Sequence, residues 1–181
     1  DLPDWEKRQW IAEVKFLKAY YHFCLVRMYG PVPLIRENLP INASQEQVRV
    51  FRDPVDDCFA YIVQLLDEAK GDLPLSIINP IEELGRITQP IAYALKAKIL
   101  VTAASPLFNG NTDQVSLVNS KSADKTPLFN QLWSLEKWEL AAQACKEAVE
   151  LCDNELGMKL YEYPGSVQYD LSDTILTQMS L

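Results

Sequence analysis

Residues 12–35, AEVKFLKAYYHFCLVRMYGPVPLI, constrain the fold more than any other part of the chain. They read as a long amphipathic helix that halts at a glycine and runs into a segment braced by two prolines. Trp10, Val14, Leu17, Tyr21, Cys24 and Met28 follow one another at steps of four and three, so on a helix they form one apolar seam along a single face. Such a seam is expected to pack on other helices. Gly30 stands where a helix C-cap takes a left-handed backbone, and Pro31 and Pro33 lack the N–H groups that would continue the helix.

Three further helices follow. Asp53 and Pro54 read as an N-cap and a first helical residue, after which Val55, Phe59, Ile62, Leu66 and Ala69 recur at helical spacing until Gly71 and Pro74 end the run. Residues 75–84 carry Pro80 and no period, which predicts a loop. Thr88 is suited to cap a third helix, whose body over 91–104 is rich in alanine. Small side chains admit a close neighbour, so this is expected to be a central helix, ended by Pro106. The fourth begins near Ser134 and sets Trp138, Ala142, Cys145, Val149 and Cys152 on one face. Two connections stay long, 34–52 and 106–133. Loops beyond about 12–15 residues inside a compact domain are usually functional or disordered, which draws attention to both.

Glu13, Phe16, Leu17, Ala19, Tyr20, Tyr21 and the run YGPVPLI at 29–35 resemble the signature of the SusD/RagB family of outer-membrane nutrient-binding lipoproteins. Lys18 stands where many members carry arginine and keeps the charge. Two later blocks, GRITQPIAYALKAKIL at 85–100 and SPLFNGN at 105–111, are similar to the same family. The resemblance implies an all-α fold of divergent tetratricopeptide-like helical hairpins with long loop insertions, the SusD-like α-α superhelix. The third and fourth helices would form one hairpin. A standard repeat has a unit of about 34 residues and short turns, so the 106–133 insertion excludes a regular solenoid. Family members run to several hundred residues with a lipid-anchored N-terminus. Residues 1–181 are therefore expected to be a single partial domain, an interior fragment whose first and fourth helices pack on partners outside it.

Charge and composition narrow the function. The formal net charge of −8 repels a phosphate backbone, so nucleic acid is not an expected partner. No segment approaches the roughly 20 continuous apolar residues that span a bilayer. The four cysteines, Cys24, Cys58, Cys145 and Cys152, fall on apolar helix faces without a C-x-x-C pair, as buried thiols do. Cys145 and Cys152 are seven positions apart on one helix, roughly 10 Å, too far to bridge. A Cys24–Cys58 contact stays open, since an oxidising periplasm would permit it.

Candidate ligand-binding residues gather in the insertion. Sugar recognition pairs an apolar ring face with amide or carboxylate groups that meet hydroxyls, and Phe108, Asn109, Asn111, Asp113 and Trp133 are of those types. The same residues also fit a plainer reading, with Asn109-Gly110 as a turn and Phe108 and Trp133 pinning the loop ends to the core. Tyr161 and Tyr163, beside Pro164 and Gly165, are the other candidates. In the family, the main aromatic platform lies largely outside the matched span.

Catalytic and metal chemistry find no footing. Asp56–Asp57, Glu82–Glu83 and Glu136–Glu139 are sequence neighbours and cannot oppose each other across a substrate as a glycosidase requires. His22, the single histidine, sits beside the apolar seam and reads as structural. The six glycines are scattered singly, so no phosphate-cradling loop exists. No cofactor, metal site or catalytic residue is expected. Arg86, next to Gly85, reads as a latch to a carboxylate such as Glu82 or Glu83.

The resemblance thus implies a surface-exposed lipoprotein of the cell outer membrane. It would bind a glycan or other oligomeric nutrient and pass it to a SusC-like TonB-dependent transporter, with membrane contact through a lipid anchor. The alternative, natural for helical hairpins, is a tetratricopeptide-like scaffold that binds a protein segment.

Overall fold

The computed structural model describes residues 2–119, 125–161 and 175, in two compact units, Asp1–Ala148 and Val149–Leu181. The elements are α1 (Asp4–Tyr29), α2 (Gln45–Val48), α3 (Val55–Lys70), α4 (Pro80–Glu83), α5 (Gln89–Ala104) and α6 (Leu135–Glu150). A 3-10 turn at Thr112–Gln114 and a π turn at Leu151–Glu155 complete the set. Among the described residues the sole β pairing is an isolated antiparallel bridge between Val118 and Pro127, so the fold is all-α.

The core is built around α3, which packs on both α1 and α5, while α1 and α5 touch each other only slightly. α3 buries a broad face, including Val55, Phe59, Ile62, Leu66 and Ala69, all five of the positions its periodicity marks. Asp67 adds a polar link to α5: its carboxylate accepts hydrogen bonds from Lys70 at 2.8 Å and from Lys96 at 2.7 Å. Burial opposes ionisation of Asp67, yet the two ammonium groups outweigh it and hold the carboxyl below its ordinary value.

α1 corrects the sequence reading. The stripe it buries is Ala12, Phe16, Ala19, Phe23 and Val26, whereas Trp10, Val14, Leu17, Tyr21 and Met28 face outward. At about 100° per residue the centres of the two stripes lie roughly 170° apart, on opposite sides of the helix. Both are apolar, so periodicity identifies two candidate faces and cannot choose between them. Ala12 and Ala19 let α3 approach closely while Phe16 and Phe23 fill the space between, which makes this the better packing face. α6 behaves alike: Ala141 and Ala144 are buried while Trp138 and Ala142 are exposed. Its association with α5, expected to make a hairpin, is weaker than that of the first three long helices.

The helix ends hold further surprises. Gly30 takes φ +69° and donates its N–H to the Val26 carbonyl at 2.8 Å, closing α1. Asp53 does not cap α3. The residue before Val55 is Pro54, and the Asp53 carboxylate accepts instead from the Leu34 N–H at 2.8 Å, with Asp53 N–H donating to the Val32 carbonyl. This pair of bonds fastens the two ends of the 34–52 connection together. Within that connection Ser44 and Gln47 form a capping box on the short helix α2. Thr88 occupies the N-cap of α5 without a side-chain cap bond, and residues 75–84, expected to be a loop, include the single turn of α4.

All four cysteines are free, so Cys24 and Cys58 are not bridged. Cys58 is buried, and its thiol lies 3.5 Å from the Val32 carbonyl as a weak donor. The other three are only partly buried. Burial pushes the Cys58 thiol up from 9.0 to about 11. No helix among the described residues is long and apolar enough to cross a membrane.

Candidate functional site

The 106–133 insertion is organised by its first residues. Phe108 is buried, meets Phe59 of α3 edge-on at 5.1 Å between ring centres and stacks on Phe129 at 6.1 Å. Asn109 is 3% exposed, and its side chain works as a clamp: Nδ2 donates to the Ser134 carbonyl at 2.9 Å while Oδ1 accepts from the Ser134 N–H at 2.8 Å. One amide thus reproduces the two-bond pairing of a β-bridge and closes a loop spanning 25 positions. Gly110 follows with φ +82°, and a Cβ there would meet the Trp133 backbone at 3.0 Å. Only a residue without a side chain lets the two ends of the insertion cross so closely.

The middle of the insertion doubles back. Leu128 N–H donates to Leu117 O at 2.9 Å and Asn119 N–H to Thr126 O at 2.8 Å, a short antiparallel pairing. Leu128 O in turn accepts from the Val55 N–H at 2.9 Å, which satisfies one of the orphan donors at the start of α3. Lys137 of α6 donates to Asp56 Oδ1 at 2.6 Å and to Phe108 O at 2.9 Å, and Asn130 Nδ2 reaches Asp56 Oδ2 at 3.3 Å. The first turn of α3, the returning limb of the insertion and the start of α6 are therefore locked at one point.

Beside that lock is an open cavity of about 470 Å³. Asp56, Asp57, Asn130 and Gln131 supply polar groups to its wall, and Phe129 and Leu132 supply apolar ones. Asp56 is already bonded to Lys137 and Asn130, so Asp57, exposed on the same turn, is the carboxylate open to a ligand. Trp133, next in sequence to Leu132, is 62% exposed. Apolar side chains beside carboxylate and amide groups, as in this wall, are the combination that meets the C–H face and the hydroxyls of a sugar.

The residues singled out from sequence divide by place. Phe108 and Asn109 form the buried frame, Trp133 stands against Gly110 at the surface, and Asn111 with Asp113 forms the turn that leads away from that crossing. Asn111 Oδ1 caps the 3-10 turn by accepting from the Asp113 N–H at 2.9 Å, and its Nδ2 donates to Leu107 O, so much of its bonding capacity is spent locally. Tyr161 is exposed in the second unit, and Tyr163 lies outside the described residues. From sequence, Asp56 and Asp57 are only neighbours that cannot oppose each other across a substrate. Their link to Asn130 and Lys137 crosses 74 and 81 positions and leaves no local signal. His22 is structural as expected: its Nδ1 lies 2.7 Å from the Lys18 carbonyl and its ring meets Tyr61 edge-on. Among the described residues no three His, Cys, Asp or Glu side chains gather as a metal site would need.

Comparison with known proteins places this architecture. Residues 2–101 match a SusD-like family described as starch-binding and associating with the outer membrane. The solved structure of BT4246 superposes with a TM-score of 0.78 at 35% identity, covering 94% of this chain and 30% of that one. A SusD-like protein (BF3747) from Bacteroides fragilis superposes at 0.59 with 25% identity, covering 89% of this chain and 23% of that one. No curated protein gives a significant match. The chain thus spans about 30% of the length of BT4246. The family match over more than half of the residues, with the 35% identity to BT4246 along nearly the whole chain, shows that the chain belongs to the SusD-like family.

Proposed function

We propose that the protein carrying this chain binds a glycan at the cell surface without turning it over and passes it to a SusC-like TonB-dependent transporter in the outer membrane. The observation that carries this reading is membership of a family described as starch-binding and outer-membrane-associated. The geometry supports it in a specific place. Trp133 is an exposed ring one position beyond Leu132, a wall residue of the cavity that also holds Asp57, Asn130 and Gln131. Asn111 and Asp113 follow Gly110 in the same insertion, at the 3-10 turn. In this reading Phe108 and Asn109 act behind the surface, holding the insertion in shape, and Tyr161 and Tyr163 are further candidates in the second unit. A crystal structure with a xylogluco-oligosaccharide, 22% identical over the matched region, shares the fold.

A glycan-array screen of the full-length ectodomain tests the proposal. Binding without product release is expected, and Trp133→Ala is expected to weaken it about tenfold or more, as removal of a stacking ring does. Hydrolysis of any bound glycan would overturn the non-catalytic reading, and unaltered binding by Trp133→Ala would move the site elsewhere in the protein.

A further inference from the structure

The cations gathered on Tyr61 have no part in the site described above. Tyr61 of α3 is 6% exposed, and three side chains meet its ring. His22 of α1 packs edge-on at 5.5 Å between ring centres, Lys18 Nζ stands over the ring at 5.5 Å, and the Arg36 guanidinium, from the connection that follows α1, stands over it at 4.6 Å. Lys18 also donates to the Arg36 carbonyl at 2.9 Å, which fixes residue 36 beside α1.

Two positive charges held on one ring repel each other, and in a chain of net charge −8 a carboxylate between them is the ordinary remedy. Neither cation has one. Among the described residues Lys18 and Arg36 form no ion pair: Glu37 and Asp57, nearest in sequence to Arg36 and Tyr61, are bonded to neither, and Glu68, two turns further along α3, is taken by Lys15 at 2.7 Å. The Arg36 guanidinium and the Tyr61 hydroxyl also make no hydrogen bond among the described residues, although Tyr61 is buried. A buried polar group without a partner calls for an explanation. An ammonium, a guanidinium fork and a phenol are all donors, so what they can take together is an acceptor of negative charge.

We propose that Lys18, Arg36 and the Tyr61 hydroxyl hold the anionic group of an acidic glycan, the carboxylate of a uronic acid or a sulfate ester. Both are compact oxyanions that a guanidinium fork grips through parallel N–H bonds while an ammonium adds a point charge. This assignment rests on the glycan reading and refines it. Tyr61 follows Asp57 by four positions on α3, one turn or roughly 6 Å along the same face. A glycan that meets Asp57 with its hydroxyls is thus expected to offer an acidic neighbouring unit to the two cations.

Titration of the full-length protein with matched pairs tests it: oligogalacturonate, oligoalginate and sulfated galactan oligosaccharides, each beside its carboxyl-reduced or desulfated counterpart. At least one acidic member is expected to bind about tenfold or more tightly than its neutral counterpart, by an advantage that shrinks as salt rises, and the pair that shows it tells carboxylate from sulfate. Arg36→Gln is expected to abolish that advantage with little change in thermal midpoint, because Lys18 bonds the backbone carbonyl of residue 36 and keeps that bond. Arg36→Lys, which restores the charge without the fork, is expected to recover part of it. Equal affinity within every pair would overturn the proposal and leave the glycan reading standing, whereas failure of every glycan on an array, acidic or neutral, would sink both. An Arg36→Gln variant that melts early yet keeps the acidic preference would reduce the cluster to a structural latch. One that keeps the preference but loses the transporter would give the cations to a protein partner, and either result overturns the assignment.

Discussion

Glu13 and Arg86, 73 positions apart, are joined in one ion pair that ties the two most family-like blocks of the sequence: Arg86 Nε and Nη2 lie 3.0 and 2.9 Å from the same Glu13 oxygen. The Nη1 of Arg86 turns to Glu83 at 2.8 Å, so one guanidinium fork bridges α1 and α4 just ahead of α5. Desolvation works against the charge on Arg86, and the two carboxylates more than restore it, raising its affinity for the proton. The latch to Glu83 agrees with the sequence reading. The grip on Glu13 is new.

Arg86→Ala is expected to destabilise the protein by about 1–3 kcal/mol, because Glu13 and Glu83 are only partly exposed and would lose a charged donor together. Arg86→Lys keeps the charge and loses the fork, and so recovers only part of the loss. Urea midpoints of the two variants, with a double-mutant cycle against Glu13→Gln, check this. An additive cycle would show that the pair does not couple.

The Gly110 crossing makes a contrast with Gly71. Gly110→Ala forces a side chain into φ +82° and against the Trp133 backbone, which is expected to cost about 1–3 kcal/mol and to shift Trp133. Gly71 has φ −71° with open space where a Cβ would sit, so Gly71→Ala is expected to be neutral or stabilising by up to about 1 kcal/mol. Equal thermal midpoints for the two variants would refute the steric account.

Cys58 gives a pH-dependent signature. Its folded value of about 11 exceeds the unfolded value of 9.0, so the folded state holds the proton more tightly. The resulting stability is fully present below pH 9.0 and is lost as pH rises through about 11. In a variant that keeps Cys58 alone, the thiol is expected to stay inert to Ellman's reagent at pH 8 in native buffer and to react at once in denaturant. Cys58→Ala should flatten the alkaline arm of the stability profile. Rapid native labelling would contradict the burial.

The helices were readable because helical spacing, proline and glycine are local signals. The stops at Gly30 and Gly71, the starts near residues 55, 89 and 135, and the apolar face of α3 all appear in the chain itself. The site was readable only in outline. Phe108 and Asn109 were legible as unusual, but their type fits both a ligand contact and an internal clamp. The clamp to Ser134 depends on a partner 25 positions away. Asp53 illustrates the same limit, since the cap expected from its neighbour Pro54 was displaced by a bond to Leu34 across the chain.

The sequence by itself determined that this chain is a set of helices and where they end, since backbone propensity and periodicity are written residue by residue, and its motif blocks at 29–35, 85–100 and 105–111 carry the family resemblance. Which of two apolar stripes on α1 turns inward was decided only by the tertiary structure. Both satisfy the helical period, and the choice rests on shape: Ala12 and Ala19 leave the room that α3 needs, and Trp10, Val14 and Tyr21 do not.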